Sequence, residues 1–315
     1  MVQNKPSIAP RRSFTIGKTV LRDWQLYLLL LLPIAFVIIF KYAAYPGLQI
    51  AFMNYKPARG YAGSDWVGWE TFAKVFKDAD FYRALKNSLL FNFLDLGVGF
   101  PVPILLALML NELRFKTFKR VSQTILYLPH FLSWVIIASV AYTLFRPETG
   151  LVNVVLMRMG WIDTGIPFLT ESTHWSVTYL LLAVWQNMGW GTIIYLAAIT
   201  GISPELYEAA TVDGAGRFGK IWHVTLPGIR ATMVTLLILN LGRVMGSNFE
   251  RLYAFGNVQV KSVQYQLAIY IYEKGLSGNN FSRATAVGLF QSMVGLLLVL
   301  SADWVAKRLG QDGLI

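Results

Sequence analysis

The sequence predicts an all-α protein that crosses a membrane six times. Of its 315 residues, 55% are hydrophobic and 14% are charged, whereas soluble domains carry about 25% charged residues. Six apolar segments are long enough to cross a bilayer about 30 Å thick, which takes roughly 20 helical residues. We place these spans near 25–45, 87–111, 121–145, 177–200, 231–249 and 285–306. The chain then divides into an N-terminal segment 1–24, a transmembrane domain 25–306 and a tail 307–315.

The first apolar segment resembles a signal peptide only superficially. It is too long, it lacks a small-residue cleavage site, and it begins after about two dozen residues. We therefore predict a retained first helix. The second span is interrupted by Gly97, Gly99, Pro101 and Pro103, and the third by Pro129. Such residues are tolerated in a membrane where neighbouring helices satisfy the freed backbone groups, so the spans are expected to pack in a bundle around a path.

The fourth and fifth spans carry polar side chains that form a candidate translocation path. Gln186 and Trp190 lie four residues apart and are predicted to share a helix face. In the fifth span the three- and four-residue steps from Asn240 to Arg243 and Ser247 predict another such face. The complete candidate set is Gln186, Asn187, Trp190, Asn240, Arg243, Ser247 and Asn248.

These residue types suit a carbohydrate, because rings stack on sugar C–H faces and amides pair with hydroxyl groups. The alternative is that the amides only bond adjacent helices. An arginine at membrane depth costs at least about 2.5–3.5 kcal/mol, so Arg243 should face water or a partner. That partner is either a carboxylated sugar held in bidentate geometry or a protein group such as Glu250, and a neutral glycan remains equally open. Asp95 is also intramembrane and has no evident partner in the sequence.

A polar segment of about thirty residues, 201–230, separates the fourth and fifth spans. Ser203 can cap a helix that has Pro204 at its first position and continues over 205–212. Asp213 and Gly214 break that helix. A second short helix is predicted over 217–223, which Pro227 prevents from running on. The pair Ala209 and Ala210 beside Glu208 forms a small knob suited to another protein's groove.

The basic residues predict that both termini and the segment 201–230 are cytoplasmic, and that 46–86 faces outward. The cytoplasmic candidates are Lys5, Arg11, Arg12, Lys18, Arg22, Arg114, Lys116, Lys119, Arg120, Arg217, Lys220, Arg230, Lys307 and Arg308. The net charge of +11 is explained by these membrane anchors, because the basic residues form no stripe with interleaved aromatics. We therefore expect a lipid bilayer as partner and no nucleic acid.

Several chemistries are excluded by the composition. The chain has no cysteine, and its three histidines lack the spacing of a metal site. Residues 214–220 match the glycine and lysine spacing of a phosphate-binding loop, but Ile221 stands where a Ser or Thr should hold magnesium. We found no nucleophile–base pair and no paired carboxylates. The sequence thus predicts neither catalytic residues nor a cofactor or metal bound by this chain.

The segment around Glu208, Ala209, Ala210 and Gly214 resembles the EAA coupling loop of ABC importer permeases. Further segments resemble carbohydrate ABC importer permeases of the LplB-like polysaccharide type, which include a permease of the bacterial alginate importer. These are 24–30 (WQLYLLL), 127–131 (YLPHF), 189–198 (GWGTIIYLAA) and 284–290 (ATAVGLF). The resemblance covers nearly the whole chain.

This resemblance implies a type I importer permease fold in the bacterial cytoplasmic (inner) membrane. It implies a second homologous permease, two ATPase subunits that hold ATP and magnesium, an extracytoplasmic solute-binding protein and an oligosaccharide substrate. Glu208, Ala209, Ala210, Asp213 and Gly214 would contact the ATPase, and transport would proceed by alternating access. An ion-coupled secondary transporter is an alternative, although no inverted repeat is evident. A receptor or a scaffold protein is a second alternative, but such a protein would not need a coupling loop.

Overall fold

The computed structural model describes residues 23–246, 248–310 and 313–314. Within them, four helical stretches are long and apolar enough to cross a membrane: Trp24–Phe52, Ala79–Asn111, Ser172–Thr200 and Phe281–Arg308. Two bent pairs raise the number of spans to six if each pair crosses once. Most of the predicted N-terminal segment 1–24, part of the tail 307–315, and Ser247 lie outside the described residues. The helical membrane fold predicted from the sequence is confirmed.

The first compact unit ends at Gln49 and contains one long helix. Helix α1 spans Trp24–Val37, continues as a π-helical turn Ile38–Tyr42, and is followed by a 3₁₀ segment Tyr45–Phe52 that extends into the second unit. No side chain of α1 is buried. Its leucine-rich surface therefore suits a lipid environment.

The second unit, 50–315, contains the remaining elements. A two-stranded antiparallel sheet pairs β1 (Met53–Asn54) with β2 (Asp65–Trp66). The helices are α2 (Glu70–Phe76), α3 (Ala79–Gly99), α4 (Pro101–Asn111), α5 (Lys116–Tyr127), α6 (Trp134–Phe145), α7 (Leu151–Arg158), α8 (Ser172–Thr200), α9 (Pro204–Val212), α10 (Arg217–Lys220), α11 (Leu226–Gly228), α12 (Arg230–Gly242), α13 (Phe249–Phe255), α14 (Lys261–Gln264), α15 (Leu267–Tyr270) and α16 (Phe281–Arg308).

Helix α8 runs through the second unit and joins two separate cores. Its first half packs Trp175 and Tyr179 into a large aromatic core with Phe91 and Phe255. Its last turns pack into a smaller aliphatic core formed with α4 and the start of α12. The middle of α8 lies between these cores. Glycine allows close approach there, because a Cβ at Gly191 would lie 2.9 Å from the Pro103 ring.

The third predicted span, 121–145, is broken in the turn that contains Pro129, the residue predicted to interrupt it. Helix α5 ends in a 3₁₀ turn, Leu128–Phe131, and the axes on either side of the break differ by 102°. Leu132 and Ser133 are extended, and the Ser133 hydroxyl caps α6 by accepting a bond from the Ile136 N–H at 3.4 Å. A serine cap thus starts a new helix inside an apolar run.

The fifth predicted span, 231–249, extends too far at its C-terminal end. Helix α12 stops at Gly242, and residues 243–245 form turns. Gly242 lies against α16, where a Cβ added to Gly295 would be 2.7 Å from the Gly242 carbonyl oxygen. The helix predicted over 217–223 is longer than expected: it ends at Gly228, just after Pro227, and the axis then bends by 59° into α12. That helix continues from Arg217 to Gly228, because a π-helical turn at Ile221–Thr225 precedes the proline.

Candidate functional site

A polar cavity of about 250 Å³ lies at the middle of α8, between the two cores. Four elements supply its walls: α3, α8, the end of α12 and α13. The lining residues are Asn92, Asp95, Leu96, Gly99, Phe100, Ala183, Val184, Asn187, Met188, Asn240, Arg243, Val244 and Arg251. Asn187, Asn240 and Arg243 from the predicted path therefore share one cavity. We call it the central cavity.

Arg243 gives the central cavity a cation that has no carboxylate partner among the described residues. It caps the end of α12 in helical conformation and lines the cavity together with Asn240, but α12 does not continue beyond it as the predicted face required. Its side chain is exposed and forms no ion pair with any described residue, including Glu250. A permanent guanidinium charge in a water-accessible cavity can bind a planar anion such as a carboxylate.

Gln186 and Trp190 do not line the central cavity. The Gln186 amide is buried and donates to the Leu132 carbonyl oxygen at 3.1 Å. This bond satisfies a backbone acceptor at the break between α5 and α6. Trp190 stacks on His130, with ring centroids 4.9 Å apart. For Gln186 the alternative reading from the sequence, a bond between neighbouring helices, is the one that the structure shows.

Asn248 lies outside the central cavity as well, and Ser247 lies outside the described residues. The Asn248 side chain caps α13 by accepting a bond from the Arg251 N–H at 3.0 Å. It also lines a neighbouring cavity of about 620 Å³, which has Arg243 in its wall. Arg243 is therefore the residue that connects the two cavities.

Asp95 has a partner that sequence reasoning missed. Arg251 of α13 forms an ion pair with both carboxylate oxygens of Asp95, and the Nη1–Oδ1 distance is 3.4 Å. The Arg251 guanidinium also lies 4.0 Å from the Tyr179 ring centroid and 5.5 Å from that of Trp134. Asp95 and Arg251 are 156 positions apart, so no local spacing signals the pair. The only hint was an intramembrane carboxylate, which requires a cation nearby.

The pairing determines the charge of the central cavity. Asp95 and Arg251 neutralise each other, and Arg251 is only 6% exposed. The uncompensated charge in the lining is that of Arg243. The cavity thus favours a ligand that carries negative charge. The Asn187 amide nitrogen donates to the Ala183 carbonyl oxygen at 3.0 Å and to Gln186 Oε1 at 3.1 Å. Asn187 can therefore offer a hydroxyl group its amide oxygen, while Asn240 lies beside it in the lining.

The segment 201–230 forms two short helices at the end of α8, as predicted. Helix α9 begins with Pro204 and ends before Asp213, and Gly214 has a φ of +78°, which a glycine tolerates. Ser203 occupies the cap position but makes no capping bond through its side chain. The Tyr207 hydroxyl lies 3.0 Å from the Thr225 hydroxyl and links the two halves of the segment.

The surface of this segment has the character of a docking site. Glu208 and Ala209 are exposed on α9, as are Asp213 and Gly214 at its end, while Ala210 is half-buried. Phe218 is 88% exposed and Trp222 is 70% exposed. Rings this exposed at a polar loop are typical of a protein contact rather than of packing within the chain.

The described residues contain no cluster of three or more His, Cys, Asp or Glu side chains that could hold a metal ion. A polar cavity enclosed by apolar membrane helices, beside an exposed polar loop with its own helices, defines a membrane permease subunit. Residues 99–312 match the family described as binding-protein-dependent transport system inner membrane component, and the chain belongs to this family.

Relatives from Bacillus subtilis (strain 168) match nearly the full chain. Protein LplB is 42% identical over 93% of this chain and 92% of its own length. The polygalacturonan/rhamnogalacturonan transport system permease protein YteP is 43% identical over 94% and 91%. In a crystal structure of a bacterial ABC transporter involved in the import of the acidic polysaccharide alginate, one chain is 39% identical, with a TM-score of 0.82, over 93% of this chain and 98% of that one.

A second crystal structure shows a bacterial alginate ABC transporter in complex with an alginate pentasaccharide-bound periplasmic protein. Its matching chain is 39% identical to this chain, with a TM-score of 0.83. The match covers 94% of this chain and 99% of the matching chain. The chain is thus a multi-pass inner membrane permease component of an ABC importer. It is a transport subunit rather than an enzyme, and separate partner ATPases hydrolyse the ATP.

Proposed function

We propose that this chain forms one half of the transmembrane path of an importer for acidic oligosaccharides. The observation that carries the proposal is that Arg243 lines the central cavity and has no carboxylate partner among the described residues. Two of the similar proteins support this chemistry, because one is named for the transport of polygalacturonan and rhamnogalacturonan and the other for the import of alginate, and polygalacturonan and alginate carry carboxylates. Asn187 and Asn240 would pair with sugar hydroxyls beside that charge.

The partners in this proposal are those of an ABC importer. A second homologous permease completes the path, and an extracytoplasmic solute-binding protein delivers the oligosaccharide. Two ATPase subunits bind ATP and magnesium, so this chain needs no cofactor of its own. Glu208, Ala209, Ala210, Asp213 and Gly214 form the contact with one ATPase. Closure of the ATPase subunits moves that contact and rocks the helices, giving alternating access to the central cavity.

The proposed topology places both termini and the segment 201–230 in the cytoplasm. The structure offers one supporting contact, since Arg217 lies 3.9 Å from Glu112 at the end of α4. This contact brings the segment 201–230 close to the basic residues around 114–120. Their charge favours the cytoplasmic side.

The variant Arg243→Gln tests the substrate class. In the reconstituted importer we expect uptake of an acidic oligosaccharide to fall about 10-fold or more, because a charged hydrogen bond is lost. Uptake of a neutral oligosaccharide of equal length and basal ATP hydrolysis should persist. Arg243→Lys keeps the charge without the bidentate geometry and should retain part of the acidic uptake. Undiminished acidic uptake in Arg243→Gln would make Arg243 a structural residue and remove the argument from this cavity for an anionic substrate.

A further inference from the structure

Further cavities continue from Arg243 towards the end of the molecule opposite the segment 201–230. The cavity of about 620 Å³ that contains Arg243 shares Gly246 and Gln291 with one of about 280 Å³. That cavity in turn shares Tyr272 with one of about 440 Å³. We call these three cavities the aromatic track. The track adjoins the central cavity, because Arg243 lines both.

Three aromatic rings stand together in the aromatic track. Phe249 and Tyr253 lie one turn apart on α13, and their ring centroids are 5.4 Å apart. Tyr272, in the π-helical turn after α15, is 5.1 Å from Phe249 and 5.7 Å from Tyr253. Tyr253 is 60% exposed, and neither tyrosine hydroxyl has a hydrogen-bond partner among the residues that the structure describes. The rings therefore present a surface to solvent.

Helix α13 does not need these rings for its own packing. Its buried side chains are Arg251, Leu252 and Phe255, which face the aromatic core and Asp95. Phe249 and Tyr253 lie on the other face. Helix α13 is already held in place by its three buried side chains. The stability of the fold therefore does not explain why the helix carries two exposed rings.

Polar groups accompany the rings at the far end of the track. Asn257, Lys261, Gln264 and Glu273 line the same cavity as Tyr253 and Tyr272. The Lys261 ammonium and the Glu273 carboxylate are 3.1 Å apart, and both side chains are more than one-third exposed. The Asn257 and Gln264 amides bond backbone groups of the chain, so the exposed Lys261 and Glu273 are the groups that can bond a sugar. Aromatic faces beside these charges offer a sugar ring a stacking surface and hydrogen bonds at once.

We infer that the aromatic track is a second oligosaccharide-binding region, upstream of the central cavity. It would hold further sugar residues of a chain whose carboxylate reaches Arg243, and so rests on the proposed function. Tyr253 and Tyr272 supply the stacking surface. The track makes the importer selective for length, because a short oligosaccharide occupies the central cavity alone whereas a longer one contacts both regions.

The variant Tyr253→Ala tests the inference in the reconstituted importer with its partner subunits. Uptake is compared between a disaccharide and a hexasaccharide of the same uronic acid. We expect hexasaccharide uptake at limiting concentration to fall about 2- to 10-fold, the range for a lost ring contact, and disaccharide uptake to stay within 2-fold. Tyr253→Phe keeps the ring and should retain hexasaccharide uptake. Trp161→Ala, which removes a ring elsewhere that is 70% exposed, should affect neither sugar.

Unchanged hexasaccharide uptake in Tyr253→Ala would overturn the inference. An equal loss for both sugars, or a loss of assembly, would overturn it too and make the rings a contact of the partner permease or a part of the gate. Neither result touches the proposed function, which fails only if the wild-type importer takes up neither uronic acid oligosaccharide.

Discussion

Two arginines eight positions apart differ in function because their surroundings differ. Arg251 is buried, paired with Asp95 and flanked by the rings of Tyr179 and Trp134. Arg243 is exposed and has no carboxylate partner among the described residues. The sequence identified Arg243 through the cost of a charge at membrane depth. It did not identify Arg251, because the partner comes from a distant part of the chain.

At this scale we predict the effect of removing Asp95. The variant Asp95→Asn leaves the Arg251 charge buried without a counter-ion, which costs about 3 kcal/mol or more of stability. The purified importer in detergent should unfold at a lower temperature. The double variant Asp95→Asn with Arg251→Met removes both charges and should be more stable than Asp95→Asn alone.

Asp80→Asn provides the matched control for Asp95→Asn. Asp80 also pairs with cations, at 2.7 Å from Arg83 and 3.0 Å from Lys274, but the pairs are exposed. Exposed pairs contribute about 0–1 kcal/mol. If Asp95→Asn proves no more destabilising than Asp80→Asn, the buried pair is not needed for stability.

Among the elements, local signals predicted the segment 201–230 well. A proline at the first helical position and a glycine with positive φ set the ends of α9, and both signals act within a few residues. The extra length of the helix that ends just after Pro227 is equally local in origin. A π-helical turn before the proline shifts the backbone hydrogen bonds, so that the helix can include Pro227. Nothing in the sequence pattern distinguishes that turn from an ordinary helical one.

The coupling element yields the next prediction, Glu208→Lys. Glu208 is exposed on α9, so its replacement leaves the packing of the chain unchanged while it reverses a charge at the proposed ATPase contact. We expect the importer to insert into the membrane normally. Substrate-stimulated ATP hydrolysis should fall several-fold, because an unfavourable charge pair replaces a favourable one at an interface.

The control for Glu208→Lys is Glu148→Lys, the same charge change at an exposed position after α6. It should leave stimulated hydrolysis unchanged. Copurification of the ATPase with each variant then reports docking directly. Normal stimulated hydrolysis and transport in Glu208→Lys would remove Glu208 from the contact.

For the whole molecule, composition and the lengths of the apolar segments predicted the helical membrane fold, and four of the predicted spans coincide with helices long and apolar enough to cross a membrane. Pro129 and Pro227 indicated where two helices would be interrupted, but not the geometry of the breaks at Leu132 and Ile229. These breaks depend on contacts from elsewhere, such as the Gln186 amide on the Leu132 carbonyl oxygen. The central cavity could not be outlined either, since it combines α3, α8, α12 and α13. The geometry of a break and the outline of a cavity depend on tertiary contacts, which hydropathy does not predict.

The last prediction concerns the orientation of the whole chain. Because the native sequence has no cysteine, single cysteines report topology without interference. Ala62→Cys lies in an exposed loop between β1 and β2, and at Gly216 an added Cβ meets no atom within 4 Å. Both variants should therefore fold. An impermeant thiol reagent added to spheroplasts should label Ala62→Cys and spare Gly216→Cys until the cells are opened. The reverse pattern would place the segment 201–230 outside, where no ATPase can reach Glu208, and would exclude the coupling mechanism together with the topology.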